Sequence, residues 1–236
     1  MSTFAISVPV GAWHPFLPHA LASLRAQGTG VKVALLDASG DPRVQALGDA
    51  EDAWLAYRRH GKDKGQSDAI LEGWANVDGD WLGWLNADDI LMPGALGRVR
   101  SKIADEPGID LVYGQSTIID EDSAMTGYHF NVERPGPRLL EGCIISQPSC
   151  FFKRSTYQSV GGLNPDLHYV MDWELWIRLY KSNAKFAFID EPMSQVLWGA
   201  DTKSASLNER RRTELRAIIS EHTPEPKQKE IFRAFA

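Results

Sequence analysis

The stretch from Gly79 to Leu96 (GDWLGWLNADDILMPGAL) most restricts how this chain can fold. It opens with an apolar, aromatic-rich run whose length and bulk are typical of a buried strand. The sequence Asn-Ala-Asp-Asp follows directly at 86–89. Pro93 then precedes an amphipathic segment, and proline at a first helical position predicts that a helix begins there. The stretch therefore predicts a strand, an acidic corner and a helix.

The acidic corner is a candidate ligand site. In open α/β sheets the carboxyl ends of the strands form the ligand crevice. Two carboxylates held there repel each other unless a cation or sugar hydroxyls lie between them. Asp88 and Asp89 are therefore candidate metal ligands. The alternative is a solvated turn in which an aspartate caps the next helix.

Before this corner the chain alternates between strand-like and helix-like patterns. The apolar run Phe4–Val10 predicts a first strand, and Val31–Leu36 predicts a second strand that ends at Asp37. Leucines at helical spacing predict a helix between them, and a further helix is predicted from Gln66 onwards. Residues 49–64 are poorly periodic and are interpreted only as a weak strand or helix with a loop. This order is typical of an α/β protein with parallel strands and right-handed crossovers.

A second block of patterns follows the corner. The segments Asp110–Ile119 and Cys150–Phe152 predict strands, and Lys185–Ile189 and Met193–Trp198 predict two final strands. Asp172 is expected to be the first or capping residue of a helix, because apolar residues recur after it at helical spacing. These residues are Trp173, Trp176, Ile177 and Tyr180.

Composition excludes some classes of protein. The chain has 236 residues, 43% of them hydrophobic, so it can bury a substantial core as one large domain or two small ones. Its formal net charge of −6 argues against a general nucleic-acid binder, which requires a basic surface. Cys143 and Cys150 lack metal-ligand spacing, so we expect two small buried thiols. Since neither a signal-peptide pattern nor a long apolar run is present, we expect a cytoplasmic protein, with the inner face of the plasma membrane as a further location.

The ordered motifs resemble a known family. Strand one ends in Val-Pro-Val, strand two in Asp-Ala-Ser-Gly-Asp, and KGQSDAI, GWLNADD, LVYG, ISQPSCFF, VGGL and LHYVMDWELW follow. Together they resemble family-two glycosyltransferases of the GT-A fold, the inverting and non-processive kind, from about Phe4 to Trp198. The resemblance implies an α/β, Rossmann-like, mostly parallel sheet flanked by helices. We expect a single domain at 1–203, with a nucleotide-sugar half at about 1–120 and an acceptor half at about 121–203, followed by a helical tail at 204–236.

The resemblance also implies ligands and a cofactor. It predicts a UDP-, GDP- or dTDP-linked sugar donor, a Mn²⁺ or Mg²⁺ ion, and a glycan or lipid-linked acceptor in bacterial-type polysaccharide or glycoconjugate synthesis. Asn86 and Asp88 correspond to the family's Asp-x-Asp pair, and Asp172 corresponds to the catalytic base. The chain departs from the family pattern in having Asn86 as the first member of that pair. It also lacks a histidine that many relatives carry before the segment Thr202-Lys203-Ser204.

Several residues carry two interpretations each. By the resemblance, Pro9, Val10 and Asp37 frame the nucleotide base, whereas the residues alone also allow Asp37 to form an Asx turn. Asp68 either contacts the donor or only caps its helix, and Asp172 is either the base or an N-cap. His168 and Trp173 are weak candidates for acceptor binding, against structural roles for both.

Other functions would require other sequence motifs or other roles for the same residues. A nicotinamide dehydrogenase would need G-x-G-x-x-G after the first strand, which VPVGAWHPF lacks. A glycoside hydrolase with Asp88 and Asp172 as its two carboxylates, or an inactive nucleotide-sugar-binding module, is the alternative to the transferase.

The C-terminal tail also has two interpretations. It is either a basic amphipathic helix on an anionic membrane or a helix packed back on the domain. The residues concerned are Arg210, Arg211, Arg212, Leu215, Arg216, Ile218 and Ile219.

Overall fold

The computed structural model of the chain describes residues 2–129, 131–199, 202–203 and 208–234. Its strands are β1 (Phe4–Val10), β2 (Val31–Asp37), β3 (Tyr57–His60), β4 (Trp81–Trp84), β5 (Ile90–Leu91), β6 (Leu111–Ile119), β7 (Met125–Tyr128), β8 (Cys150–Lys153) and β9 (Phe186–Leu197). Its α-helices are α1 (Leu17–Arg25), α2 (Pro42–Glu51), α3 (Gln66–Asn76), α4 (Ala95–Asp105), α5 (Arg154–Ser159), α6 (Met171–Lys181), α7 (Glu209–His222) and α8 (Glu225–Ala234).

The nine strands found in the described ranges belong to one sheet. Its order is β3-β2-β1-β4-β8-β6-β9-β5, and β7 pairs with β6. The first four strands are mutually parallel, whereas β8 runs antiparallel to both β4 and β6. The predicted α/β class and the parallel pairing of the first two strands are therefore confirmed. The carboxyl ends of β1, β2 and β4 consequently meet at one edge of the sheet.

Apolar clusters cover both faces of the sheet. Alternate residues of β1 point to opposite sides, so Ile6 and Val8 pack with α1 and α4, and Ala5 packs with α3 and α6. On the α3 side, Trp84 of β4 stacks on Trp176 of α6, with ring centroids 6.1 Å apart. This packing holds the end of β4 and the start of α6 on the same framework.

Helix α7 packs on α6. Its apolar side chains form a separate buried cluster with the start of α6, whose members are Val170, Trp173, Ile177, Leu215, Ile218 and Ile219. The side chains that a membrane-binding tail would expose are therefore buried in the fold, which favours the packed interpretation of this segment. In the described ranges, no helix combines the length and apolar character needed to cross a bilayer.

The structure corrects several predicted boundaries. Helix α4 begins at Ala95 after Gly94, whose φ of +73° suits glycine, so Pro93 lies before the helix. The two predicted final strands form the single strand β9, because irregular pairing with β6 around Gln115 accommodates the residues between them. Cys150 is buried as expected, but Cys143 is exposed.

Helix α2 ends in the weakly periodic region 49–64, and strand β3 lies within it. Helix α2 was not predicted, although Asp41 caps it by accepting a 2.9 Å hydrogen bond from the Arg43 amide and Pro42 is its first residue. Strand β3 follows and pairs with β2.

Candidate active site

The acidic corner directly follows β4, as predicted. The side chain of Asn86 lies at its centre: its Oδ1 accepts a 2.7 Å hydrogen bond from Gln66 Nε2. Its amide Nδ2 donates to Asp89 Oδ2 at 2.9 Å. Asp89 is only 4% exposed, whereas Asp88 is half-buried. Asn86 therefore links the start of α3 to the buried carboxylate.

Burial raises the pKa of both corner carboxylates. Burial raises the pKa of Asp89 well above its usual value, the charge of Asp88 raises it further, and hydrogen bonds from Asn86 oppose this. Burial also raises the pKa of Asp88, with His14 acting in the opposite direction. A cation between these oxygens would relieve the repulsion, and oxygen donors suit Mg²⁺ and Mn²⁺.

The corner fits a metal only as part of a larger ligand set. Among the described residues, no group of three or more His, Cys, Asp or Glu side chains is placed to hold an ion. Two carboxylates therefore suit a cation that takes its other ligands from the phosphates of a bound nucleotide.

The residues predicted to frame the base lie together at the ends of β1 and β2. Pro9 and Val10 pair in register with Leu36 and Asp37. Both are buried, and the Val10 carbonyl accepts a hydrogen bond from Ala38 at 2.9 Å. A nucleotide base could therefore contact this position only at the edge of the sheet where β1 and β2 end.

Asp37 has partners of its own. It is 2% exposed, accepts a 2.8 Å hydrogen bond from the Ser39 amide, and lies 2.7 Å from Nδ1 of His60. The Ser39 bond is the Asx-turn geometry expected from the local sequence. His60, at the end of β3, is a partner that sequence reasoning did not identify.

The first turn of α3 joins the corner to the loop before α6. Gln66 contacts the corner through Asn86, as described above. The next residue, Ser67, donates from Oγ to the Leu167 carbonyl at 2.7 Å, and the same Oγ lies 2.9 Å from the Met171 sulfur. Asp68 accepts a 3.1 Å hydrogen bond from the Lys64 amide, which is a helix-entry contact. The helix thus brings the corner and the start of α6 to one side of the molecule.

Asp172 is the second residue of α6, and the N-cap of this helix is Val170. The expectation that Asp172 is the first or capping residue is therefore wrong. It is half-buried, and its Oδ1 accepts a 2.8 Å hydrogen bond from the Trp173 amide. Burial raises the pKa of Asp172, although that hydrogen bond and the charges of Lys203 and Arg211 lower it. Burial therefore outweighs the favourable contacts of this carboxylate at the helix N-terminus. A raised pKa brings a carboxylate closer to what a general base at neutral pH needs.

The two weak acceptor candidates have structural contacts. Trp173 is 2% exposed, and its indole Nε1 donates to the Leu139 carbonyl at 2.6 Å. This burial corrects the expectation of an acceptor contact, because the ring has no free face. The backbone amide of His168 donates to Glu214 at 3.0 Å, and its ring packs edge-on against Tyr169 at 4.8 Å. Burial lowers the pKa of His168, and nearby Lys203 and Arg210 lower it further.

Two further residues of the site escaped sequence reasoning. Gln66 lies inside the KGQSDAI motif that supports the resemblance. The motif indicated the segment, but it did not indicate that Gln66 hydrogen-bonds to the corner. Lys203 donates from Nζ to Gln66 Oε1. Nothing local in the sequence marks that contact, because the two residues are far apart along the chain.

The sheet and the acidic corner define the class of protein. The fold superposes on S. aureus TarS residues 1–349, solved in complex with UDP-GlcNAc, with a TM-score of 0.73 and 16% identity over 99% of this chain and 71% of that one. It also superposes on the mannosyltransferase PcManGT from Pyrobaculum calidifontis, solved with GDP-Man and Mn²⁺, with a TM-score of 0.61 and 16% identity over 94% of this chain and 61% of that one. The fold is therefore GT-A.

Sequence comparison identifies the family. Residues 11–159 match the family described as glycosyl transferase family 2, and this chain belongs to that family. It is 27% identical over 157 residues to the O-antigen biosynthesis protein RfbC of Myxococcus xanthus, a match covering 65% of this chain but 12% of RfbC. It is also 27% identical over 186 residues to a PGL/p-HBAD biosynthesis glycosyltransferase of Mycobacterium bovis, covering 77% of this chain and 71% of that protein.

Proposed function

We propose that this chain transfers one sugar from a nucleotide-sugar donor to an acceptor hydroxyl, with inversion at the sugar carbon. The observation that carries the proposal is the link that the first turn of α3 makes between the acidic corner and Leu167 and Met171, which lie close to Asp172 in the chain. This link supports a donor-binding corner and a base that act on the same bound donor.

Each predicted donor residue has a role in this proposal. The ends of β1 and β2, with Pro9, Val10 and Asp37, border the nucleotide base. Asn86 and Asp88 hold the ribose and diphosphate side of the donor, and Asp68 lies in the helix turn beside them.

The proposed metal-binding residues are Asp88 and Asp89. A bound Mn²⁺ or Mg²⁺ would neutralise phosphate charge. Asp88 is the more accessible ligand, and Asp89 is buried behind it. The Mn²⁺ in the PcManGT complex supports a divalent ion in this fold.

Asp172 is the proposed base. It would accept the proton of the acceptor hydroxyl as the hydroxyl oxygen attacks the sugar carbon. The contacts of its neighbour Trp173 with the core fix the helix that carries it.

The donor and acceptor are proposed by class. The titles of the related structures name UDP-GlcNAc, UDP and GDP-Man, which supports a nucleoside diphosphate sugar as the donor. The relatives named for O-antigen biosynthesis and for PGL/p-HBAD biosynthesis support a glycan or lipid-linked acceptor. A nucleotide-sugar-binding module without activity is the second candidate, and the presence of Asn86 in place of an acid favours it.

An Asp172→Asn variant tests the proposal. Asn keeps the size of the side chain and an oxygen for the Trp173 amide, so melting temperature and nucleoside diphosphate affinity should be preserved. Loss of a general base lowers kcat by roughly 10² to 10⁴, measured as nucleoside diphosphate release from a panel of nucleotide sugars. Turnover within threefold of the parent would refute the assignment of Asp172. Donor binding by a parent that turns over no nucleotide sugar would support the inactive module.

A further inference from the structure

A cavity of about 450 Å³ opens between β6, β7 and β9. Its volume falls within the range of roughly 300–1,000 Å³ that is typical of small-ligand sites. Its lining comes from β6, from β7 and the residues after it, and from β9. The described residues that line it are Gln115, Tyr128, His129, Asn131, Asp190 and Pro192. None of these residues belongs to the acidic corner or to the segment around Asp172.

The lining combines an exposed aromatic ring with planar polar groups. Tyr128 is 60% exposed, so its ring offers an apolar face to a ligand. Gln115 Nε2 donates to Asp190 Oδ1 at 3.2 Å, and an amide nitrogen has a second N–H to donate. Among the described lining residues there is no Lys or Arg, so the cavity offers an anionic ligand no cationic partner. This chemistry suits a neutral saccharide, whose hydroxyls bond to amide and carboxylate groups while its C–H face packs on an aromatic ring.

The cavity is joined to the acidic corner through two adjacent residues. Asn131 of the cavity accepts a 2.9 Å hydrogen bond from the Ser146 amide, and its own side-chain amide donates to the Gly114 carbonyl at 3.0 Å. The next residue, Gln147, accepts from Asn86 of the corner at 3.5 Å. These two residues therefore lie against the cavity on one side and the corner on the other.

The strand register gives the separation between the cavity and the corner. Leu82 of β4 and Leu111 of β6 both pair with Phe152 of β8, so β4 and β6 run in the same direction and are two strand spacings apart. Asn86 and Gln115 each follow four residues later, at about the same level along the sheet. Two strand spacings are about 10 Å. This distance is too large for the sugar that reacts at the corner, and it suits a sugar unit further along a chain.

The sheet order indicates which substrate reaches the cavity. The predicted base-binding residues lie at the ends of β1 and β2, the corner follows β4, and the cavity lies beyond them at β6 and β9. A donor that extends from β1 and β2 to the corner ends there with its sugar, so the next substrate in this direction is the acceptor. The segment between corner and cavity also approaches the proposed base, since Cys143 Sγ lies 3.9 Å from Asp172 Oδ2.

We infer that this cavity binds a neutral sugar unit of the acceptor, at least one unit away from the hydroxyl that is glycosylated. The acceptor is then a glycan of two or more sugar units, held by Tyr128 against its ring and by the amide and carboxylate of Gln115 and Asp190. The inference rests on the proposed function.

Direct saccharide binding tests the inference without the transfer reaction. The parent is screened by saturation-transfer NMR against neutral mono-, di- and trisaccharides of hexoses, deoxyhexoses and N-acetylhexosamines. The tightest ligand is then titrated calorimetrically into Tyr128→Ala, Tyr128→Phe and Gln115→Ala. The control is Met125→Ala, because Met125 lies on the same strand as Tyr128, is 54% exposed and is not among the described lining residues. A melting curve and a nucleoside diphosphate titration accompany each variant.

The expected result depends on the aromatic ring and on the length of the saccharide. A di- or trisaccharide should bind more tightly than its monosaccharide. Tyr128→Ala should weaken binding about 10-fold, since it removes the stacking face, whereas Tyr128→Phe should stay within about threefold. Gln115→Ala should weaken binding about 3- to 10-fold through the loss of a hydrogen bond, and Met125→Ala should match the parent. Where the bound saccharide serves as acceptor, its KM should rise in Tyr128→Ala by the same factor as its Kd.

Different results would overturn the inference and the proposed function. A parent that turns over a nucleotide sugar but binds none of the saccharides, or a Tyr128→Ala variant that binds them like Met125→Ala, would overturn the cavity assignment alone. A matching loss of nucleoside diphosphate affinity in folded Tyr128→Ala would overturn it too, because the cavity would then belong to the donor site. A parent that binds saccharide in this cavity but neither binds nor turns over any nucleotide sugar would defeat the proposed function, and with it the role of the saccharide as acceptor.

Discussion

Glu214 of α7 holds the loop that leads to Asp172, and its removal should be measurable. Its carboxylate is 7% exposed and accepts hydrogen bonds from the backbone amides of His168 at 3.0 Å and Tyr169 at 2.7 Å. Arg210, one turn earlier on α7, pairs with it at 3.1 Å. A Glu214→Ala variant leaves two backbone donors without their acceptor, directly before the helix that carries Asp172.

The size of the effect follows from those two donors. An orphaned buried donor costs about 1–3 kcal/mol, so Glu214→Ala should lower the free energy of unfolding by about 2–4 kcal/mol if water replaces part of the missing hydrogen bonding. For a chain of this size each kcal/mol lowers the melting temperature by about 2–4 °C, which predicts a loss of roughly 4–16 °C. Glu214→Gln keeps one acceptor oxygen and should lose about half as much.

The assay pairs urea unfolding with turnover. Glu221→Ala is the control, because Glu221 is exposed on the same helix, and its change should stay within about 0.5 kcal/mol. Turnover of folded Glu214→Ala should fall while nucleoside diphosphate affinity is kept, since the loop positions Asp172 and not the corner. A Glu214→Ala protein that melts within about 1 °C of the parent would show that the loop is held by other contacts.

Three further outcomes are expected. Burial lowers the pKa of Lys203 from 10.5 to about 8, so the free energy of unfolding should rise with pH between these two values, because the unfolded chain then binds more protons. The charged and titratable groups around Lys203 are Asp172, Glu214, Arg210 and His168. Urea unfolding of the parent and of Lys203→Gln measures this, and equal pH dependence of the two would contradict it. Asp88→Asn should abolish the part of nucleotide-induced thermal stabilisation that needs Mn²⁺ or Mg²⁺, and a metal-dependent part that survives would exclude Asp88 as a ligand. Gly73→Ala should lower the free energy of unfolding in urea by about 1–3 kcal/mol, because the added Cβ would lie 2.2 Å from Ser7 Oγ. Gly97→Ala is the control, since its added Cβ would meet no atom within 4 Å. Equal stability of the two variants would contradict the packing argument.

The local patterns predicted the elements that have a continuous apolar run or apolar residues at helical spacing. Strand β1 matches its predicted position because its whole length is buried, and helix α1 forms where the leucines recur at helical spacing and are buried. Helix α2 was overlooked although the pair Asp41-Pro42 has the form of a helix start. Only Val44 and Gly48 of this helix are buried, so its sequence shows little apolar periodicity.

The rest of the site depends on contacts that no local pattern records. Lys203 contacts Gln66, and Glu214 contacts the loop at His168, only because the fold brings distant segments together. The raised pKa of Asp172 likewise depends on burial by neighbouring elements, which the sequence alone does not record. Sequence motifs thus identified candidate residues, whereas the hydrogen bonds and burial of these residues depend on tertiary packing.

The smallest strand of the sheet has a consequence for synthesis of the chain. β5 contains only Ile90 and Leu91, immediately after Asp89, and it pairs with Gln195 and Ser194 of β9. A nascent chain emerging from the ribosome therefore carries both corner carboxylates long before it carries the strand that fixes the segment beside them. Pairings this distant in sequence form late. The acidic corner should accordingly acquire its final shape only when β9 has been translated, so that binding of a ligand at this corner depends on completion of the sheet.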